Sequence, residues 1–259
     1  MKSSSRNESS TFGLQDGSYA IAYQEIVIGK FRYFVPEYAS HRPAVRKVLK
    51  GRFYEPQTHF LVERFYEKVQ GSMVHAGCFF GDMLPSFSSQ VKGNLYAFEP
   101  VLENYILAKL CVEVNQLDNV LLQNCALSDK ITNLKIDTFE VNGLHAGGGS
   151  QIASSGATCM AVTVDSLSDD NISLIQLDVE GHELSALTGA KETIVRCRPL
   201  IAIEDNFQQC KHFLHELNYE RVGEIPGLSI WVPQENDLYR GIVRESLAMT
   251  PRTRWRKAR

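Results

Sequence analysis

The segment from Met73 to Pro100 constrains the fold of this chain more than any other. An apolar run leads into Gly77 and Gly81, a stretch of helical length follows, and a second apolar run closes on Glu99. Glycines let the backbone turn out of a strand close to a ligand, and the next helix start offers unpaired N–H groups. An acid at the tip of the second strand can bind ribose hydroxyls, so the segment predicts the first βαβ unit of a nucleotide site. Glu99 follows the glycines at about the twenty-residue interval that such a unit needs, which favours this interpretation over a packing turn with a solvent-facing acid.

Beyond this unit, strand and helix patterns alternate along the chain. The apolar runs predict strands at 73–76, 94–98, 120–124, 172–177 and 199–203. Such alternation indicates a parallel sheet with helices on both faces. Two further runs, at 219–224 and 228–232, predict a closing antiparallel hairpin across Pro226-Gly227. We therefore expect an α/β fold whose doubly wound, mostly parallel, seven-stranded sheet ends in an antiparallel hairpin.

Residues 131–165 interrupt the alternation. Short strands are predicted at 134–139 and 160–164, on either side of a loop that contains Gly147 to Gly149. No Gly-Lys-Ser/Thr follows these glycines, so the loop is not a phosphate-binding P-loop. Two interpretations stay open: a surface hairpin tip, or a lid over the substrate.

The sequence predicts one main domain with additions at both ends. We expect the polar residues 1–16 to be disordered and residues 72–240 to form the main domain. Residues 17–71, with a strand over 26–35 and a helix over 57–69, are expected to cap the sheet, to help cover the site or to act as a dimerisation arm. The basic tail 241–259 is expected to be solvated, with docking to an acidic partner or anionic surface as the alternative.

Composition excludes several classes of function. The formal net charge of −3 argues against nucleic acid as the main partner. We find no apolar run long enough for a membrane span and no signal-peptide pattern. The six cysteines lack CxxC spacing, as expected of reduced core thiols, so zinc is not expected. We predict a cytoplasmic protein.

A second cluster of ionisable residues follows the strand at 172–177. Asp178, Glu180, His182 and Glu183 fall within six residues, at the edge where open α/β sheets bind ligands. Glu180 and Glu183 would also suit helix capping, whereas a functional role is favoured for Asp178, which ends the strand itself. The next strand ends in the same way, at Glu204.

Residues 72–205 carry an ordered series of motifs that resembles a known family. The motifs are Val74-His-Ala-Gly-Cys-Phe-Phe-Gly81, Ala97-Phe-Glu-Pro100, Asn124-Cys-Ala-Leu-Ser-Asp129, Thr163-Val-Asp-Ser-Leu167, Leu174-Ile-Gln-Leu-Asp-Val-Glu-Gly-His-Glu183 and Arg198-Pro-Leu-Ile-Ala-Ile-Glu204. Together they resemble the FkbM-type family of S-adenosylmethionine-dependent methyltransferases. The resemblance implies the Rossmann-like class I methyltransferase fold and S-adenosylmethionine as cofactor.

The resemblance also implies where the cofactor would lie. Glu99 and Pro100 would border the ribose, and Asn124 to Ala126 would border the adenine. The turn at 77–82 would face the methionine portion; the candidate contacts here are His75, Gly77, Phe79, Gly81 and Asp82. This chain departs from the family pattern at three positions: His75 replaces the usual acid, Phe79 an asparagine, and Gln176 a lysine.

By the same resemblance, the expected reaction is O-methylation of a hydroxyl on a sugar, a glycan or a secondary metabolite. The acceptor would be a small molecule or a carbohydrate, and no metal is expected. The general base would be Asp178 or His182, with Glu180 and Glu204 orienting the acceptor. Neutral imidazole has the more suitable ordinary pKa, whereas Asp178 would need burial to raise its own.

Two alternatives remain at this point. An NAD(P)-dependent oxidoreductase would also use Glu99 on a ribose, but it predicts a third glycine after Gly81, and residues 82–86 contain none. A non-catalytic binding module could retain the fold, with Phe79 and Phe80 filling the cofactor cleft.

Overall fold

The computed structural model describes residues 7–14, 17–204 and 208–249, which contain three sheets. The first sheet is an antiparallel meander of strands β1 (Asn7–Leu14), β2 (Gly17–Ile28) and β3 (Phe31–Pro36). The predicted single strand over 26–35 is wrong, because Gly29, at φ +63°, turns the chain between β2 and β3. Strand β1 also lies within the residues that we expected to be disordered; the rest of 1–16 falls outside the described residues.

Two helices connect this sheet to the main domain. Helix α1 (Pro43–Val48) and helix α2 (Pro56–Tyr66) both begin at a proline, whose fixed φ suits the first helical turn. Tyr33 and Val45 form a cluster with Phe80 of the main domain, and α2 buries Leu61 and Phe65 in the main core. The N-terminal region is therefore packed onto the main domain by apolar contacts.

The main domain follows in chain order. Its first half contains β4 (Ser72–Ala76), α3 (Leu84–Gln90), β5 (Leu95–Phe98), α4 (Leu102–Val114) and β6 (Val120–Gln123). The insertion contains β7 (Ala126–Leu127), β8 (Thr132–Asp137), β9 (Gln151–Ala153) and β10 (Ala157–Val162). Its second half contains β11 (Ile172–Leu177), α5 (Glu183–Thr188), α6 (Lys191–Cys197), β12 (Leu200–Ile203), α7 (Cys210–Glu216), β13 (Tyr219–Ile225), β14 (Leu228–Pro233) and α8 (Asp237–Met249).

The central sheet has seven strands in the order β13-β14-β12-β11-β4-β5-β6. The pairs among β12, β11, β4, β5 and β6 are parallel, whereas β14 runs antiparallel to both of its neighbours. The predicted α/β class with a mainly parallel sheet is confirmed, and the reversal of β14 makes the sheet mixed. The closing hairpin spans the two predicted runs.

Side chains on opposite faces of the sheet build two cores. Met73 and Leu174 face α2, α3 and α8, whereas Val74 and Ile175 face α5, α6 and α7. Every residue of β4, β5, β11 and β12 is buried, as expected of parallel strands covered on both sides. Each large aliphatic side chain buried in this way contributes roughly 1.5–3 kcal/mol to the free energy of unfolding.

The two ends of the main domain differ from the sequence prediction. Helix α8 continues to Met249 and buries Tyr239, Ile242 and Val243 in the core, so the boundary predicted at residue 240 is wrong. The basic tail from Arg252 lies outside the described residues. Within those residues, no helix combines the length and the apolar character that crossing a membrane requires. Cytoplasmic location and a homodimer remain predictions.

Candidate active site

The site lies at the carboxyl ends of β4, β5, β11 and β12, where the strand order reverses between β4 and β11. Gly77 makes the turn that leaves β4, at φ +83°, and a Cβ on it would lie 1.8 Å from the Asp178 carbonyl oxygen. Only glycine allows the ends of these two strands to approach so closely. Phe79 (φ 47°) and Glu180 (φ 54°) also adopt left-handed backbone conformations, which are strained for residues with side chains and often mark functional sites.

Two adjoining cavities open at this edge. The first, of about 480 Å³, is called the apolar cavity; it is lined by Phe98, Val101, Ala126, Leu127, Ile136 and Ile152, with Glu99, Pro100 and His182. The second, of about 780 Å³, is called the acidic cavity; it is lined by Glu55, Asp82, Asp178, Glu180 and Glu204, with Arg42, Tyr54, His75 and Phe79. Gly77, Gly148, Asp178 and Glu180 line both. Asp178 therefore lies at their junction.

Glu99 is held rigidly at the end of β5. It accepts hydrogen bonds from the Phe79 N–H (2.8 Å), the Val101 N–H (3.0 Å) and the Asn104 side-chain amide (3.1 Å). Burial raises the pKa of Glu99 to about 7, against the effect of these donors. A carboxylate has about four acceptor positions, so one position remains for a hydroxyl in the apolar cavity.

Three carboxyl groups meet at the junction of the cavities. Asp178, Glu180 and Glu204 each have an oxygen within 4.8 Å of the others. Burial, together with a hydrogen bond to Glu204 and its negative charge, raises the pKa of Asp178 well above the usual range. The spacing would also suit a hard divalent cation. The prediction of a metal-free enzyme therefore stays a prediction.

The N-terminal region contributes side chains to the acidic cavity that our sequence analysis missed. Arg42 places its guanidinium 3.3 Å from Glu140 and 3.9 Å from Glu180, and Tyr54 and Glu55 line the same cavity. Residues 17–71 showed no recognisable chemistry, because the partners of these side chains lie about a hundred positions away in sequence. No local pattern signals such a contact.

The three glycines of the insertion cover both cavities. Gly148 lines each of them, and the Gly147 carbonyl accepts a hydrogen bond from Asn104 (3.2 Å). A Cβ on Gly147 would lie 2.9 Å from both Ala39 and the Phe79 ring. Of the two interpretations of this loop, the geometry favours a cover over an exposed hairpin tip.

The predicted site residues divide into four groups. Glu99, Pro100, Ala126 and His182 line only the apolar cavity; His75, Phe79, Asp82 and Glu204 line only the acidic cavity; Gly77, Asp178 and Glu180 line both. Gly81 and Asn124 line neither. Gly81 packs against Ala108 of α4, and the Asn124 amide donates to the carbonyls of Glu99 and Pro100.

The two histidines have different surroundings. The His75 Nδ1 bonds the amide oxygen of Gln176, and burial lowers the pKa of His75 to about 4, so the ring is neutral. The His182 Nε2 lies 3.0 Å from the Ser128 hydroxyl, and burial also lowers the pKa of His182. Glu183 accepts hydrogen bonds from the N–H groups of Val179 and Gly181, so it braces the turn that precedes helix α5 rather than capping the free N–H groups of the helix.

A family model described as the methyltransferase FkbM domain matches residues 80–221. No curated protein matches the chain. Similar solved structures include an FkbM methyltransferase from Methylobacillus flagellatus KT, with 16% identity, a TM-score of 0.48 and coverage of 76% of this chain. The chain spans 55% of the length of that protein.

Two further structures are similar to the chain at lower TM-scores. A SAM-dependent methyltransferase from Aquifex aeolicus has 18% identity and a TM-score of 0.42, with coverage of 68% of this chain and 87% of that one. The TYW2 protein of M. jannaschii, in complex with AdoMet, has 9% identity and a TM-score of 0.43, with coverage of 81% and 83%.

Proposed function

Since the chain belongs to the FkbM methyltransferase family, whose cofactor is S-adenosylmethionine, we propose that it methylates a hydroxyl of a sugar, a glycan or a secondary metabolite. The observation that carries the proposal is the position of Asp178, which lines both cavities. A carboxylate at this junction can reach a hydroxyl in one cavity while a cofactor occupies the other.

The apolar cavity fits the adenosine portion of the cofactor. It is lined mainly by apolar side chains, with Glu99 as a polar group among them, as is typical of small-molecule sites. Ala126 and Leu127 would contact the adenine, and Glu99 would accept a hydrogen bond from the ribose. When bound, S-adenosylmethionine supplies an electrophilic methyl group on a sulfonium that leaves without acid assistance.

The acidic cavity would orient the acceptor and remove its proton. Asp178 takes the hydroxyl proton as general base, and its raised pKa brings it closer to the pH at which a base works best. Once Asp178 is protonated, its carboxyl group donates a hydrogen bond to Glu204, which accepts it and orients Asp178. Glu180 and Arg42 would bind other polar groups of the acceptor.

His182 is the weaker candidate for the base. Its ring lines the apolar cavity, and its Nε2 is already bonded to Ser128. Asp178 lines the acidic cavity as well. The geometry therefore favours Asp178 over the imidazole, despite the more suitable ordinary pKa of histidine.

The alternatives receive less support. Family membership argues against a nicotinamide oxidoreductase. A filled cleft is disfavoured, because Phe80 packs against Tyr33 in the N-terminal core and Phe79 forms one wall beneath Gly148. Neither ring belongs to the side chains that line the apolar cavity.

Calorimetry and methyl transfer test the proposal together. We expect micromolar binding of S-adenosylmethionine and no binding of NADH. Incubation with methyl-labelled cofactor and a panel of sugars, glycans and hydroxylated metabolites should then yield a methyl ether, identified by NMR. Transfer to nitrogen or carbon would contradict O-methylation, and binding of NADH alone would refute the cofactor assignment.

A further inference from the structure

The acidic cavity carries more negative than positive charge. Five carboxyl side chains line it, and Arg42 is the one basic side chain there that is charged near neutrality, since His75 is neutral. The Arg42 guanidinium is already engaged by Glu140 and Glu180. Among the described residues, Glu55 and Asp82 have no cationic partner.

Asp82 is the more deeply buried of these two acids. It is 6% exposed, and within the described part of the chain the one hydrogen bond to its carboxylate comes from its own backbone amide. Burial and the neighbouring Glu55 raise the pKa of Asp82 to about 7. A buried carboxylate without a partner is unfavourable, and a cation in the cavity would remove that penalty.

Glu55 approaches the same cavity from the N-terminal region. It precedes the first turn of α2 in a left-handed conformation (φ 45°), and its Oε2 accepts a hydrogen bond from the Thr58 hydroxyl (3.1 Å). The negative charge of Glu55 acts on both Asp82 and Asp178. Glu55, Asp82 and Asp178 line the same cavity, so a cation held there would be attracted by all three carboxyl groups.

His75 adds a third acceptor. With the Gln176 amide oxygen at its Nδ1, the ring donates from that nitrogen, and its Nε2 is an acceptor with no partner among the described residues. This position carries an acid in the family that the chain resembles, and a neutral ring cannot replace the charge. The carboxylates of Asp82 and Glu55 and the His75 Nε2 can only accept hydrogen bonds. They would suit a ligand group that only donates, such as an ammonium with three N–H donors.

We propose that Asp82 and Glu55 bind the α-ammonium group of S-adenosylmethionine, in place of an acid at residue 75. The assignment rests on the proposed function, because it requires the cofactor to extend from the apolar cavity past Gly77 into the acidic cavity. Gly77 lines both cavities, and Asp82 ends the turn that Gly77 begins.

The test compares two ligands that differ at one group. S-adenosylhomocysteine has the ammonium, and its analogue with a hydroxyl in place of the α-amino group lacks it. Calorimetry with wild-type protein should show at least about tenfold tighter binding of S-adenosylhomocysteine, as expected of a charge-assisted hydrogen bond. Asp82→Asn and Glu55→Gln should each reduce this preference, chiefly by weakening the binding of S-adenosylhomocysteine.

Asp118→Asn is the matched control, because Asp118 is exposed in the turn before β6; its preference should equal that of the wild type. Circular dichroism checks the fold of each variant, and Glu55→Gln carries the test if Asp82→Asn does not fold. An unchanged preference in the folded variants, or an equal loss of affinity for both ligands, would overturn the assignment of Asp82 and Glu55 to the ammonium group. The proposed function would still stand. Failure of the wild-type protein to bind either ligand would refute the proposed function as well.

Discussion

The two cavities differ in the origin of their walls. The apolar cavity is built by residues 76–182, from the ends of neighbouring strands and from the insertion, whereas the acidic cavity also depends on Arg42, Tyr54 and Glu55. Strand ends meet at a sheet edge that the topology determines. Side chains from the N-terminal region reach the site through tertiary contacts instead. The apolar cavity, where we propose that adenosine binds, is thus determined by the sheet and the insertion. The acidic cavity, where we propose that the acceptor binds, also depends on the N-terminal region packed over the sheet.

The largest expected effect is at the junction of the cavities. Asp178→Asn should lower kcat at least about 100-fold, because it removes the general base. The affinity for S-adenosylhomocysteine should change less than about threefold, since the amide keeps the shape of the carboxyl group. Steady-state kinetics and calorimetry give the two values. Asp118→Asn serves as the control, and near-normal turnover in Asp178→Asn would remove Asp178 from the mechanism.

Glu99→Gln tests the apolar cavity alone. The substitution replaces a carboxylate acceptor, so the dissociation constant of S-adenosylhomocysteine should rise about 10–100-fold. Calorimetry measures it, after circular dichroism has shown that the variant is folded. An unchanged dissociation constant would mean that Glu99 serves only to bond Phe79, Val101 and Asn104.

Asp82→Asn tests the acidic cavity through the pH dependence of the free energy of unfolding. Burial raises the pKa of Asp82 from 3.8 to about 7 in the folded protein, so its contribution to stability is present below about pH 4 and lost as pH rises through 7. The Asp82→Asn variant has no carboxyl group at this position, so it does not lose stability in this way as the pH rises. From pH 4 to pH 8 its free energy of unfolding should therefore improve relative to wild type by roughly 1–4 kcal/mol. Urea unfolding without ligand measures this, and parallel pH profiles would contradict it.

The cover over both cavities gives a smaller effect. Gly147→Ala should lower the free energy of unfolding by about 1–3 kcal/mol through overpacking against Ala39 and Phe79, and should weaken cofactor binding. Gly143→Ala is the control, because Gly143 also has a positive φ but a Cβ there would meet no atom within 4 Å. Equal losses in urea unfolding would show that backbone strain, rather than the contact, is responsible.

Chelation should have no effect. We expect EDTA to leave kcat unchanged, because the proposed mechanism uses Asp178 as the base without a metal. Loss of turnover with EDTA, restored by a divalent ion, would instead make Asp178, Glu180 and Glu204 candidate metal ligands.

Much of the main domain was predictable because its signals are local. Buried runs and turn glycines located the strands, and the residues that end them, Glu99 and Asp178, line the cavities as expected. The turn at Gly29 was missed because the loose alternation from Ile26 to Val35 was read as one strand, although its phase changes between Ile28 and Phe31. Helix α8 was not predicted, because residues from 241 onward were assigned to the basic tail, although Tyr239, Ile242 and Val243 form a helical apolar face.

The acidic cavity could not be predicted for a different reason. Glu55 and Arg42 belong to a region without a motif, and the acids of the main domain that line the cavity with them lie far away in sequence. Gly81 and Asn124 were assigned to the cofactor by resemblance, yet they line neither cavity. Gly81 allows α4 to pack closely, and Asn124 bonds the backbone that carries Glu99 and Pro100. A position in a motif identifies such residues, but it does not show whether they contact the cofactor or hold other site residues in place.

A crystal structure of the complex with S-adenosylhomocysteine would test directly whether the site divides into a cofactor cavity and an acceptor cavity. From the proposed function we expect adenine beside Ala126, a ribose hydroxyl bonded to Glu99, and the sulfur at the junction beside Asp178. The ammonium group would reach the part of the acidic cavity beside Asp82 and Glu55, and the rest of that cavity would stay open to an acceptor above the sulfur. Adenosine bound in the acidic cavity, or a sulfur remote from Asp178, would contradict the division of the site into a cofactor cavity and an acceptor cavity.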